Sequence, residues 1–170
     1  MTATVSKKRA WTVAPAPVDS PEAVALWREY YVDVADRYRL LHFNRRSTPA
    51  ELEAELADSS GDDLVPPQGL LLLGRYGGEP AACAGLRAYG PGVVELKRVF
   101  VRPAWRGTGG GACLLAAVDE VARGMGAKRI VLDTRLDLVE ARALYVKHGY
   151  AEIPAYNDGE YAEVWYGKDV

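Results

Sequence analysis

Between Val24 and Leu41 the apolar positions Val24, Trp27, Tyr31, Val34, Tyr38 and Leu41 recur every three or four residues, which is the spacing of one helix face. Ser20 offers an N-cap and Pro21 a first helical residue, so the pattern predicts a helix here with that stripe buried. Thr48-Pro49-Ala50-Glu51 is a capping box that opens a second, shorter helix with Leu52 and Leu56 as its buried stripe. Elsewhere the pattern is strand-like. Trp11-Thr12-Val13-Ala14 reads as a short strand ended by Pro15 and Pro17, and Leu70-Leu71-Leu72-Leu73 as a buried one. Gly77-Gly78 is a hairpin turn leading to a return strand over residues 81–88. Residues 93–101 give the strongest strand signal in the chain.

A helix follows at 109–124, with Leu114, Val118, Val121 and Met125 on one face. Arg129-Ile130-Val131-Leu132 is short, branched and apolar, as a buried parallel strand is. Residues 139–148 form a last helix, ended by Gly149. Final strands at 150–153 and 162–166 flank a turn at Asn157-Asp158-Gly159. The order predicts a mixed α/β (α+β) chain around one central sheet. A length of 170 residues suits one domain over 11–170, preceded by a disordered tail over 1–10 that carries the basic cluster Lys7-Lys8-Arg9.

Charge removes one class of function. A formal net charge of -2 argues against nucleic acid as a partner, because phosphate contacts need clustered Lys and Arg. No apolar run has the length of a membrane span, and Cys83 and Cys113 are too few for a disulfide framework, so a cytoplasmic protein with no membrane partner is expected. His42 and His148 stand alone, without ligand spacing, and no metal is expected.

The candidate chemistry lies where the 93–101 strand runs into Arg102-Pro103-Ala104-Trp105-Arg106-Gly107-Thr108-Gly109-Gly110-Gly111. Glycines permit close backbone approach, and the free N–H groups and positive end of the following helix favour an anion such as a diphosphate. Arg106 adds charge-assisted donors. A flexible strand-to-helix connection explains the glycines alone equally well. The P-loop is excluded, since Gly-Lys-Ser or Gly-Lys-Thr is absent.

Arg106, Gly109 and Gly111 fill the Arg/Gln-x-x-Gly-x-Gly/Ala pattern of the GNAT superfamily of N-acetyltransferases, which this stretch resembles. The upstream Val-x-Val-x-Pro and the downstream run from Ala141 to Tyr150 resemble the same family, so that the likeness covers roughly residues 70–166. It implies a mostly antiparallel sheet of about six to seven strands with a splayed parallel pair, flanked by about four helices. It implies acetyl-CoA as co-substrate, held by the strand backbone at Val99, Phe100 and Val101 and by the turn at Arg106, Gly107, Thr108, Gly109, Gly110 and Gly111.

The resemblance also gives Tyr145 the role of proton donor to the departing thiolate, with a packing tyrosine as the alternative. Glu95 matches the place of a general base that frees the acceptor's amine, with an ion pair to Lys97 or Arg98 as the alternative. Two positions depart from the family pattern: Gly110 stands where an aliphatic residue is usual, and Leu138 where an asparagine is common. The expected partner is a small-molecule or peptide amine, for which Tyr30, Tyr31, Tyr38, Arg45, Arg46, Tyr156 and Asn157 are candidate pocket residues. A homodimer is one arrangement the family admits. A silent acyl-CoA-binding module, or an acyltransferase with another acyl group or acceptor, fits the same motifs.

Overall fold

The structure is a computed structural model that describes residues 10–170; of the expected tail, all but Ala10 falls outside the described residues. In chain order the elements are β1 (Trp11–Ala16), α1 (Pro21–Phe43), α2 (Pro49–Ala57), β2 (Gly69–Tyr76), β3 (Glu79–Gly90), β4 (Val93–Val101), α3 (Gly110–Gly124), β5 (Arg129–Thr134), α4 (Val139–Lys147), β6 (Ala151–Ile153) and β7 (Val164–Asp169). The strands form one sheet in the order β1-β2-β3-β4-β5-β7-β6. Every neighbouring pair is antiparallel except β4 with β5, so the expected mixed sheet with one parallel pair and four helices is present.

Both faces of the sheet are covered, which explains why the Leu70–Leu73 run does not alternate with polar residues. Leu72 packs with Ala82, Leu96, Leu114, Val118 and Ile130 on the α3 side. Leu71 and Leu73 pack with Leu26, Cys83 and Phe100 on the α1 side. β1 continues through Pro15, which pairs with Leu72, rather than stopping before it. As the sheet's edge strand it has one side free of ladder bonds, where a residue without an N–H is tolerated. β7 starts two residues later than expected, because Asn157 anchors the preceding loop to Asp133 and Trp165.

The apolar stripe of α1 is the main correction. The helix buries Ala23, Leu26 and Ala35, whereas Val24 and Leu41 are 49% and 63% exposed. Trp27, Tyr31, Val34 and Tyr38 are half-buried and line open cavities rather than the core. Hydrophobic periodicity marks both kinds of surface alike. On α2 the capping box is present as expected, but the helix buries no residue completely, and it is tied to α1 through Arg39–Glu55 at 2.6 Å and through Arg28–Glu53.

Cys83 is buried in β3, and that burial pushes its thiol up to about 12, while Cys113 is exposed on α3. Alkylation of the native protein at pH 8 is therefore expected to modify Cys113 alone, with Cys83 reacting only after denaturation. Mass spectrometry of the labelled protein checks this, and rapid native labelling of Cys83 would contradict the packing described.

Candidate active site

β4 and β5 pair only at Val93–Arg129, Val94–Ile130 and Glu95–Val131. Beyond that point each strand keeps its outer partner, β3 for β4 and β7 for β5, but the two separate. A β-bulge sits on β4 close to where they part. Lys97 faces Gly85 and Phe100 faces Cys83, so Arg98 and Val99 together oppose Ala84, with Arg98 at φ +57°. A bulged strand bends and twists more strongly, which carries β4 away from its parallel neighbour. Val99, Phe100 and Val101 line the resulting cleft on one side, and Thr134, Ala141 and Tyr145 on the other, around a cavity of about 370 Å³.

The glycine turn forms the outer end of this cleft. Gly107 and Gly109 lie at φ +78° and +92°, and Gly109 is the N-cap of α3 without any side-chain cap. The first backbone N–H to bond back into the helix is that of Cys113, to Gly109. Among the described residues the N–H groups from Gly107 to Ala112 donate to no protein acceptor, which leaves a run of free donors at the positive end of a 15-residue helix. This is a cradle for an anion.

Gly110 is explained by its neighbour. A Cβ there would lie 2.3 Å from the Trp11 ring, which occupies the space an aliphatic side chain would need. The Trp11 indole N–H bonds Thr108 at Oγ1 (3.0 Å) and at its carbonyl (3.2 Å). Thr108 Oγ1 in turn donates to the Trp105 carbonyl at 2.5 Å, so its side chain braces the turn and does not line the cleft. Arg106 lines the cleft while its Nε donates to the Val101 carbonyl at 3.0 Å.

Tyr145 closes the inner end. It is 6% exposed, its ring packs against Tyr150 and Tyr166, and its hydroxyl bonds no other described residue. Burial is the main cause that pushes the phenol above its ordinary value. Glu95 is 2% exposed and sits at the last paired position of β4, lining a second cavity that has Tyr30 in common with the cleft. Its carboxylate accepts from Arg87 Nε at 2.9 Å and from the Tyr156 hydroxyl at 2.7 Å. The cross-strand neighbour Arg87 is thus the ion-pair partner, and Lys97 pairs with Asp63 instead.

The model of the acetyltransferase (GNAT) family matches residues 25–150. The chain belongs to the GNAT family. It is 33% identical over 93 residues to an uncharacterised N-acetyltransferase of Schizosaccharomyces pombe, a match covering 54% of this chain and 57% of that protein. The chain thus spans little more than half the length of that curated relative. A Staphylococcus aureus acetyltransferase of the GNAT family has the same fold, with a TM-score of 0.69, 16% identity, and coverage of 94% of this chain and 99% of the other. So does the PaiA N-acetyltransferase of Thermoplasma acidophilum in complex with coenzyme A, at a TM-score of 0.70 and 14% identity, covering 95% and 99%.

Within this GNAT frame the expected pocket residues scatter. Tyr30 lines the cleft and two further cavities, and Tyr31 and Tyr38 line one of those cavities with Arg135 and Tyr161. Tyr156 and Asn157 are struts, the first bonded to Glu95 and the second to Asp133 at 2.8 Å. Arg45 is turned to Glu51 on the surface, and Arg46 lines a neighbouring cavity bordered by Asp33, Arg37 and Phe100, so neither lines the cleft itself. Asp133, Arg98 and Trp11 were not among the candidates read from the sequence. No membrane-length apolar helix occurs among the described residues.

Gly110→Ala is expected to lower the unfolding free energy by about 1–3 kcal/mol, the usual range for overpacking. In a Trp11→Ala background the same change should do markedly less harm, as denaturant titration would show. Equal losses in both backgrounds would mean that the indole is not the obstacle.

Proposed function

We propose that this chain transfers the acetyl group of acetyl-CoA to an amine by direct attack, with both substrates bound together. The run of unsatisfied N–H groups from Gly107 to Ala112, at the end of a cleft whose floor is Tyr145, is the observation that carries this reading. Those amides, with Arg106 beside them, suit the diphosphate of a coenzyme. The edge of β4 past Glu95, unpaired toward β5, offers main-chain partners to an extended amide-containing arm, as an added strand would use them. Coenzyme A carries such an arm between its diphosphate and its thiol. The solved relative in complex with coenzyme A supports the same choice of ligand.

Amine attack requires a lone pair, so an ammonium must first lose a proton. Glu95 takes that proton, directly or through a water. Each carboxylate oxygen accepts one bond in the structure, and an ionised carboxylate has about four acceptor sites in all, which leaves capacity for a further donor. As the carbon–sulfur bond breaks, Tyr145 donates its proton to the departing thiolate. Burial keeps the phenol protonated through the working range and leaves its hydroxyl unclaimed by other side chains. A covalent acetyl-cysteine enzyme is not part of this reading, since no cysteine lines the cleft among the described residues.

The direct test is thiol release from acetyl-CoA against a panel of amines, with calorimetry of acetyl-CoA binding alongside. No binding would remove the proposal at its root. Tyr145→Phe is expected to lower kcat on the order of 10²-fold, the low end for loss of a general acid, with little change in acetyl-CoA affinity. An unchanged kcat would return this tyrosine to packing. Ala112→Glu places a carboxylate in the exposed first turn of α3, beside the cradle and without the strain that any side chain meets at Gly109. It should weaken acetyl-CoA binding at least about tenfold while leaving Tm nearly unchanged, since charge at the helix start opposes a bound anion and not the fold.

A further inference from the structure

Val94, Leu96, Val99 and Val101 all face the α3-side core, so the bulge places both Lys97 and Arg98 on the α1 side together with Glu95 and Phe100. Arg98 has a left-handed backbone, a strained conformation for a non-glycine residue and one that clusters at functional sites. Its guanidinium lies over the Trp27 ring at 3.8 Å and makes no ion pair or side-chain hydrogen bond among the described residues. Three of the carboxylates that line the same cavity are already engaged. Asp63 serves Arg87 and Lys97, Glu95 serves Arg87 and Tyr156, and Asp133 holds Asn157. Burial disfavours the Arg98 cation, and Asp63 offsets that only in part. A half-buried, stacked cation without an acceptor lines a cavity of about 510 Å³ that borders the cleft, with Tyr30 lining both.

We propose that Arg98 binds a carboxylate on the acceptor, so that the amine acetylated by this chain belongs to an amino-acid-like molecule. This rests on the acetyl-transfer reading above and names the substrate class for that same site. Along β4, Glu95 and Arg98 are three residues apart, so their Cα atoms are separated by roughly 10 Å at most. The intervening space suits a compact zwitterion with its amine toward Glu95 and its carboxylate on the planar guanidinium, which offers a matched pair of donors. A phosphate is the poorer fit. Asp58, Asp62, Asp63, Glu95 and Asp133 line the same cavity and would repel a dianion more strongly than a single negative charge. Trp27 covers the guanidinium from one side and its terminal nitrogens lie near Gly61, which fixes the position of a cation whose N–H donors have no acceptor among the described residues.

The test compares α-, β- and γ-amino acids with their carboxamides and with phosphoethanolamine, by thiol release and by calorimetry on the CoA-loaded protein. Wild type should prefer the acid in at least one matched pair by about 10- to 100-fold in kcat/KM. Arg98→Gln should erase that preference, and Arg98→Lys should restore part of it, while acetyl-CoA affinity stays as in wild type. Carboxamides or phosphoethanolamine used as well as the acids would overturn the assignment, as would a preference that survives in Arg98→Gln, or no calorimetric binding of any acid. Failure of acetyl-CoA to bind is a separate result that sinks the acetyl-transfer reading instead. Circular dichroism of each variant confirms that it folds.

Discussion

The separation of β4 from β5 after three paired residues is the constraint on which the site depends. A parallel pair in mid-sheet normally satisfies its backbone groups along its whole length, and leaving six residues of β4 unpaired on one side is unfavourable without a partner. What keeps the strands from closing is visible in their surroundings. The bulge at Arg98–Val99 turns β4, β3 and β7 fix the two outer edges, and the Tyr145 ring stands at the inner end of the gap against Tyr150 and Tyr166. The same gap brings three chemistries together: strand edge, helix-terminal amides and a buried phenol.

The bulge also sorts the polar residues. In a regular strand Arg98 would alternate with Lys97 and fall on the core face, where its charge would be buried among leucines and valines. One extra residue in β4 moves it to the α1 side, beside the aromatic stripe of that helix. The acidic residues nearby then compete for a limited set of cations, and Arg87 is shared between Asp63 and Glu95. The shared guanidinium and the Tyr156 hydroxyl hold Glu95 in place, one bond to each carboxylate oxygen, beside the cavity that Glu95 lines.

Much of this was legible in the chain because local rules and tertiary demands agree there. The Thr48–Glu51 capping box, the Gly77-Gly78 hairpin and the Arg106 to Gly111 turn are set by backbone requirements of a few adjacent residues, and each appears where the residues say. The burial of α1 was not legible, since its Trp27, Tyr31, Val34 and Tyr38 stripe follows core spacing yet lines cavities. The partner of Glu95 was missed for a different reason. Arg87 is its cross-strand neighbour, eight residues away, and only the register of the β3–β4 hairpin brings them together. The bulge did leave a trace: two polar residues between Leu96 and Val99 break a period of two.

Gly110 shows why a departure from a family pattern need not weaken a site. An aliphatic residue at that place would pack the start of α3 against the sheet, and glycine alone would leave a hole and a loosened helix terminus. Here the ring of Trp11, 99 positions earlier in the numbering and on the edge strand, fills the hole, and its indole N–H also fixes Thr108 in the turn. The packing that an aliphatic side chain supplies from within the motif is supplied from outside it, with a hydrogen bond added. The consequence is a dependence that the motif itself does not reveal: the shape of the anion cradle rests on β1, an edge strand whose one strand neighbour is β2. Loss of β1 would therefore disturb the glycine turn before it disturbed the core of the sheet.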